Sequence, residues 1–246
     1  MRNLQNLEEE KFYLTEEDEF DRVYDIISLM PNFVMYGKYE TEYEDYFYDT
    51  KDKFLQQNRA SVRVRKLNDK QVLSIKYISY NALKEEKERE AYFDMPIDVK
   101  LTEYRPAMLF LSNKINDIYS KTLEVDSVRK MRELEVYLVI YTSRTIHELK
   151  NNMDLKITVN FDNVIYHTKF NKGEDNIIKF ILNNYPDSVN LDTFKRFIKN
   201  ISSKVFFIND NESKYTAGLR VLNDDRFNKK YKGDDYEEDE EEEDEE

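Results

Sequence analysis

Arg63 and Arg65 lie two residues apart, with Ser61 before them and Val62 and Val64 between them. Lys76 follows on a segment where Val72 and Ser74 alternate with Leu73 and Ile75. A period of two places Ser61, Arg63 and Arg65 on one face of a strand and the valines on the other, with a turn at Leu67 to Asp69 leading into a second strand. If the Val-rich face packs against helices, the basic face must line a wet interior. Guanidinium forks match phosphate oxygens and a walled cavity focuses the field of several cations, so convergent Arg and Lys would bind a phosphate chain. The competing reading is a charged strand face turned to solvent, which is common in antiparallel sheets.

Other chemistries lack their parts. The chain has no Cys, and its two histidines are His147 and His167, so thiolate sites and multi-histidine zinc sites are out of reach; any metal would be hard and oxygen-bound. Both histidines fall in strand-like segments with no nucleophile beside them, which points to structural or surface roles. Ser202-Ser203 and Thr142-Ser143 have no nucleophile-elbow glycines, and with 4 Gly in the chain no Gly-rich phosphate loop is expected. The 19 Tyr and 15 Phe do not alternate with basic residues along one strand, so they read as core and surface and not as a base-stacking platform. No sequence-specific nucleic-acid partner is expected.

The formal charge of −13 argues against a polyanionic ligand until it is located: Asp234 to Glu246 hold acidic residues at every position but Tyr236. The body without them is close to neutral, so what matters is where its cations stand. No apolar run approaches the roughly 18 residues needed to span a bilayer, and MRNLQNLEEE lacks the apolar core of a secretory signal. A soluble, cytoplasmic protein without membrane insertion is expected.

The positioning elements follow from hydrophobic period. Thr15 and Asp18 form a capping-box variant ahead of Phe20, Val23, Tyr24 and Ile27, a helix that stops by Pro31. Arg105 to Lys121 reads as a helix and Ser127 to Arg132 as a loop. Strand patterns cover Glu135 to Arg144, Leu155 to Asp162 and Ile177 to Leu182. Leu191, Phe194, Phe197, Ile198 and Ile201 make an amphipathic helix, followed by a strand through Val205 to Ile208 and a short segment from Lys214 to Leu222. There is no internal repeat and no strand-helix alternation. The fold class expected is α+β: a closed antiparallel β-barrel with flanking helices, as one domain over residues 1–228, then a basic hinge and disordered acidic tail over 229–246.

The order of these segments carries a resemblance. Tyr46 to Lys76, YFYDTKDKFLQQNRASVRVRKLNDKQVLSIK, resembles the "Y-x-D-T, then L, then R-x-R, then K" signature of the CYTH and triphosphate-tunnel superfamily, and Glu9 and Lys11 resemble the end of its E-x-E-x-K strand. YTSRT around Arg144, LKITVNFD, NIIKF with Tyr185-Pro186, and Ser213, Lys214, Tyr215, Gly218 and Leu219 of SKYTAGL resemble polyphosphate polymerase domains of the vacuolar transporter chaperone (VTC) type. The resemblance runs from about Leu7 to Leu222. It implies a tunnel in which Lys11, Arg63, Arg65, Lys76, Arg144 and Lys214 bind phosphates, with Lys156 and Arg89 as additions. Glu9 would hold Mg²⁺ or Mn²⁺, and Lys214 would stabilise the transferring group.

The acidic half of the pattern departs from the family. Leu7 stands at its first Glu and Ile177 at the Glu of E-x-K; the acid of LKITVNFD is either Asp162 or, in the other register, replaced by Asn160. Metal-assisted phosphoryl transfer needs those carboxylates more than binding does. Two functions therefore stand: a metal-dependent polyphosphate polymerase or triphosphatase acting on polyphosphate, triphosphate or a nucleoside triphosphate, and a non-catalytic relative serving as a binding, assembly or virion structural module with a protein partner. The Asn, Lys, Ile and Tyr content fits an AT-rich genome, which makes a virus or phage particle the alternative location. The acidic tail reads as solubilising, or as a tethered polyanion that partly occludes the site.

Overall fold

The computed structural model describes residues 8–14, 18–80, 86–99, 104–119, 133–184, 187–209 and 213–223. In chain order the elements are β1 (Glu8–Leu14), α1 (Glu19–Ser28), β2 (Phe33–Asp49), α2 (Phe54–Gln57), β3 (Ser61–Leu67), β4 (Lys70–Tyr80), β5 (Glu86–Met95) and α3 (Tyr104–Tyr119). There follow β6 (Glu135–Asn151), β7 (Lys156–His167), β8 (Lys172–Leu182), α4 (Ser188–Ser202), β9 (Ile208–Asn209) and α5 (Lys214–Asn223).

Local chemistry accounts for several boundaries. The β3–β4 turn is Asn68-Asp69 between the paired Leu67 and Lys70, and Asn68 takes φ 51°, a left-handed conformation that Asn tolerates. Asp187 caps α4 by accepting the Asn190 N–H at 2.8 Å. The expected capping box before α1 involves Thr15, which lies outside the described residues; Asp18 is the N-cap of α1, makes no side-chain cap hydrogen bond there and pairs with Arg22 at 2.8 Å. The segment from Lys214 is helical. Ser127 to Arg132, Tyr185-Pro186 and residues 229–246 also lie outside the described residues.

The strands form one antiparallel sheet in the order β5-β4-β3-β2-β6-β7-β8-β1-β9. Its edges among the described residues are β5 and β9, and no pairing joins them, so the closed barrel expected from the sequence is met there by an open sheet. The sheet nevertheless curls, because residues of β5 at one end and β1 near the other line the same cavity.

Each face has its own packing. Val62, Val64, Leu73 and Ile75 are fully buried against Ala107, Leu111 and Ile115 of α3, and Ile157, Val159 and Phe180 are fully buried with Phe194 and Ile201 of α4 and Ile27 of α1. The helices therefore cover the outer face. On the inner face, α5 packs against Leu138, Ile140, Val164, Tyr166 and Ile177 to make a third apolar cluster. A Cβ on Gly218 would fall 2.6 Å from Tyr166 and 2.9 Å from Leu138, so the helix sits where only glycine fits. Buried Asp49 ties this cluster to the β2–β3 connection. Its carboxylate accepts the N–H groups of Thr50, Leu55 and Gln56 and the Tyr215 hydroxyl at 2.8, 2.8, 3.2 and 3.1 Å.

Candidate functional site

Beside the third apolar cluster the inner face opens into a polar cavity of 660 Å³. Period-two geometry delivers its walls: Glu9 and Lys11 from β1, Tyr43 and Phe47 from β2, and Ser61, Arg63 and Arg65 from β3. Ser74 and Lys76 of β4, Glu90 and Tyr92 of β5, Arg144 of β6, Lys179 of β8 and Ser213, Lys214 and Tyr215 at the start of α5 complete it. Six basic residues singled out in the sequence, Lys11, Arg63, Arg65, Lys76, Arg144 and Lys214, thus converge from β1, β3, β4, β6 and α5. Lys156 does not reach the cavity; it begins β7, with its amino group 3.9 Å from Asp154. Arg89 lies opposite Tyr77 in the β4–β5 register, and its side chain is outside the described residues.

Two buried carboxylates organise the cations. Asp45 is fully buried and receives a bidentate pair from Arg65, Nε and Nη2 each at 2.7 Å. Asp162, also fully buried, receives Arg144 at 2.5 and 2.7 Å and the Lys214 ammonium at 3.1 Å. Burial alone would raise the Asp162 pKa, but the hydrogen bond from Arg144 and the charges of Lys214 and Arg144 outweigh it and hold the carboxyl below its usual value. Asp162 lies on the inner face, where it serves as a cation anchor; Asn160, two residues before it and on the same face, is buried with its side-chain carbonyl unpartnered.

Tyr43, which the sequence reading passed over, lies beneath three of these cations. Its ring centroid is 4.0 Å from the Arg65 guanidinium carbon, 5.4 Å from that of Arg144 and 5.2 Å from the Lys214 ammonium, which also donates to the Tyr43 hydroxyl at 3.1 Å. An aromatic face attracts cations without neutralising them. Arg63 differs from the other two arginines. Its nearest carboxylate oxygens, on Asp45 and Glu90, are 3.7 Å away, and its Nε is buried with no hydrogen-bond partner.

The remaining carboxylates are also engaged. Glu9 pairs with Lys179 at 2.7 Å. Glu90 accepts from Ser74 and lies 3.6 Å from Lys76; burial would raise its pKa, but the Ser74 and Tyr92 hydrogen bonds and the Lys76 and Arg63 charges bring it below the usual value. Ile177, in place of an expected acid, is fully buried in the apolar cluster beside Tyr13, and Leu7 lies outside the described residues. For the Mg²⁺ or Mn²⁺ implied by the resemblance, no group of three acidic or histidine side chains fit to hold a metal is found among the described residues. Glu9 is paired with Lys179, and Glu90 accepts from Ser74 with Lys76 3.6 Å away, so the donors among the described residues do not make a metal site.

His147 is buried on the outer face between Tyr24 and Phe161, with ring centroids 5.2 Å from each. Burial and Lys38 lower its pKa, as suits a neutral packed imidazole. Among the described residues no helix is long and apolar enough to cross a membrane.

Comparison with known proteins adds the family. No curated protein matches the chain. HpAC1 from Hippeastrum, described as having a dominant triphosphatase activity, is similar over 87% of this chain and 95% of its own, at 14% identity and a TM-score of 0.54. PH1819 from Pyrococcus horikoshii OT3 shares 14% identity over 87% of this chain and 98% of its own, with a TM-score of 0.46. The S. pombe RNA triphosphatase Pct1 shares 12% identity over 78% and 68%, with a TM-score of 0.35. Residues 9–180 match the CYTH domain, and they carry all but one of the converging cations, so the chain belongs to the CYTH family of the triphosphate-tunnel superfamily.

Proposed function

We propose that the cavity binds a triphosphate or polyphosphate chain, with Lys11, Arg63, Arg65, Lys76, Arg144 and Lys214 as its phosphate ligands. The observation that supports this is their convergence on one walled cavity from strands far apart in sequence. Several cations acting on one linear chain favour tripolyphosphate over orthophosphate, and the advantage shrinks as salt screens the charges. Arg63 Nε has no hydrogen-bond partner and its nearest carboxylate oxygens are 3.7 Å away, so Arg63→Ala should cost about 1.5–3 kcal/mol of tripolyphosphate affinity, the worth of a charge-assisted contact. Titration calorimetry tests both statements, and unchanged affinity in Arg63→Ala and Arg65→Ala would refute the assignment.

The reaction proposed is transfer of a terminal phosphoryl group, to water as in the triphosphatase activity of the similar Hippeastrum protein, or to a growing polyphosphate as the resemblance to VTC-type domains implies. Lys214, at the first turn of α5, would stabilise the charge that develops on the transferring group. Residues 1–228 form the phosphate-binding unit on this reading. The second reading, a binding or assembly module without turnover, is favoured by Glu9 being paired with Lys179 and by Ile177 lying in an apolar cluster. Phosphate release from tripolyphosphate or ATP with Mn²⁺ present separates the two. Release that is lost in Lys214→Ala supports the enzyme; binding without release supports the module.

A further inference from the structure

We infer that the cavity takes its phosphate chain as the free polyanion, and that Mg²⁺ competes for the ligand instead of helping to seat it. This rests on the phosphate-binding reading and concerns the ionic form in which the ligand enters.

The charge balance carries the argument. The six proposed phosphate ligands and Lys179 face four carboxylates, those of Glu9, Asp45, Glu90 and Asp162, which leaves the walls net positive among the described residues. Three of those carboxylates are in close ion pairs, Asp45 with Arg65, Asp162 with Arg144 and Lys214, and Glu9 with Lys179, while Glu90 accepts from Ser74 and lies 3.6 Å from Lys76. Magnesium needs oxygen ligands at about 2.0–2.1 Å in near-octahedral array and usually draws on one or two carboxylates besides the phosphates. To recruit Glu9 it would have to break the 2.7 Å pair and then stand beside the released Lys179 and its cross-strand neighbour Lys11. The next pair along β1 and β8, Tyr13 and Ile177, offers no carboxylate. The walls therefore oppose a divalent cation on both counts, ligands and field.

The cations also do what the metal would do. Arg65, Arg144 and Lys214 stand around the Tyr43 ring, and Arg63 lines the same cavity. A chain already chelated by Mg²⁺ carries two fewer negative charges and has fewer oxygens left for these donors, so it binds less tightly.

The test is calorimetry of the full-length chain with tripolyphosphate, in EDTA and then in Mg²⁺ above the ligand concentration, at constant ionic strength. The same pair of titrations is run on Glu9→Gln. The expected result is binding in EDTA that weakens about tenfold in Mg²⁺, the loss of one charge-assisted contact, with the same ratio in Glu9→Gln. Equal or tighter binding in Mg²⁺ overturns the inference, and a Mg²⁺ gain abolished in Glu9→Gln would identify Glu9 as a metal ligand while leaving the phosphate site standing. No binding in either buffer removes the phosphate reading itself, and this inference with it.

Discussion

Asp45 and Asp162 decide which cations a substitution can remove without harming the fold. A buried carboxylate that loses its partner costs up to about 3–5 kcal/mol, whereas a cation whose carboxylates are 3.7 Å away leaves little behind. Arg144→Ala is therefore expected to lower the urea midpoint strongly, tempered by Lys214, which still reaches Asp162 at 3.1 Å, and Arg63→Ala to leave it nearly unchanged. Equal midpoints for the two variants would show that Asp162 does not depend on Arg144. The same pair predicts a pH dependence. Because the folded Asp162 pKa lies below its unfolded value, its contribution is fully present above about pH 3.9 and is lost as pH falls through the lower folded value. Asp162→Asn should accordingly lose less stability than the wild type between pH 5 and pH 3, measured by urea unfolding. Tyr43 supplies a third contrast: Tyr43→Phe keeps the ring under Arg65, and Tyr43→Leu does not. Tripolyphosphate affinity should be nearly retained in the first and reduced in the second, by about 0.5–2 kcal/mol for each cation released. Equal losses in both would place the role in the hydroxyl.

α5 couples packing to the site, because its first residue is Lys214 and its middle is Gly218. In an exposed helix, Gly→Ala gains roughly 0.5–1 kcal/mol of propensity. Here the added methyl would meet the buried Tyr166 and Leu138 at 2.6 and 2.9 Å, and overpacking of this kind costs typically 1–3 kcal/mol. Overpacking wins, so Gly218→Ala should lower both stability and tripolyphosphate affinity, the second through displacement of Lys214. A more stable variant with intact affinity would show that α5 shifts freely. What could be read from sequence follows the same physics. β3 and β4 were legible because Val62, Val64, Leu73 and Ile75 form an unbroken apolar face. β2 was not, since Tyr36 and Tyr39 near its start are exposed and its tyrosines and acids obscure the period. Asp45 stands in an acidic run with Glu40, Glu42 and Glu44, and only its pairing with Arg65 across β2 and β3 sets it apart. Period two through Tyr43, Asp45, Phe47 and Asp49 was the available signal. Lys179 is the Lys of the E-x-K pattern whose Glu is replaced by Ile177, and its register opposite Lys11 brings it to the cavity.

On the scale of the whole molecule, a chain of net charge −13 holds a cavity lined by cations, because most of the net negative charge lies in Asp234 to Glu246. Residues 224–246 lie outside the described residues, and chain length bounds how far they reach. α5 carries the chain about 15 Å from Lys214 to Asn223 at 1.5 Å per residue. Residues 224–233 extend at most about 36 Å at the limit of 3.6 Å each. The span back to the cavity is within that reach, and closing a loop of this length adds little entropic cost. A tethered run of carboxylates competes with a phosphate chain through effective concentration even when each contact is weak. Such competition is screened, the Debye length being about 30 Å at 0.01 M salt and 10 Å at 0.1 M. Deleting Asp234 to Glu246 is therefore expected to tighten tripolyphosphate binding at 0.01 M salt, with the gap between truncated and full-length chains closing by a few tenths molar. Calorimetry across a salt series checks this, and equal affinities at every salt would leave the tail a solubilising role alone.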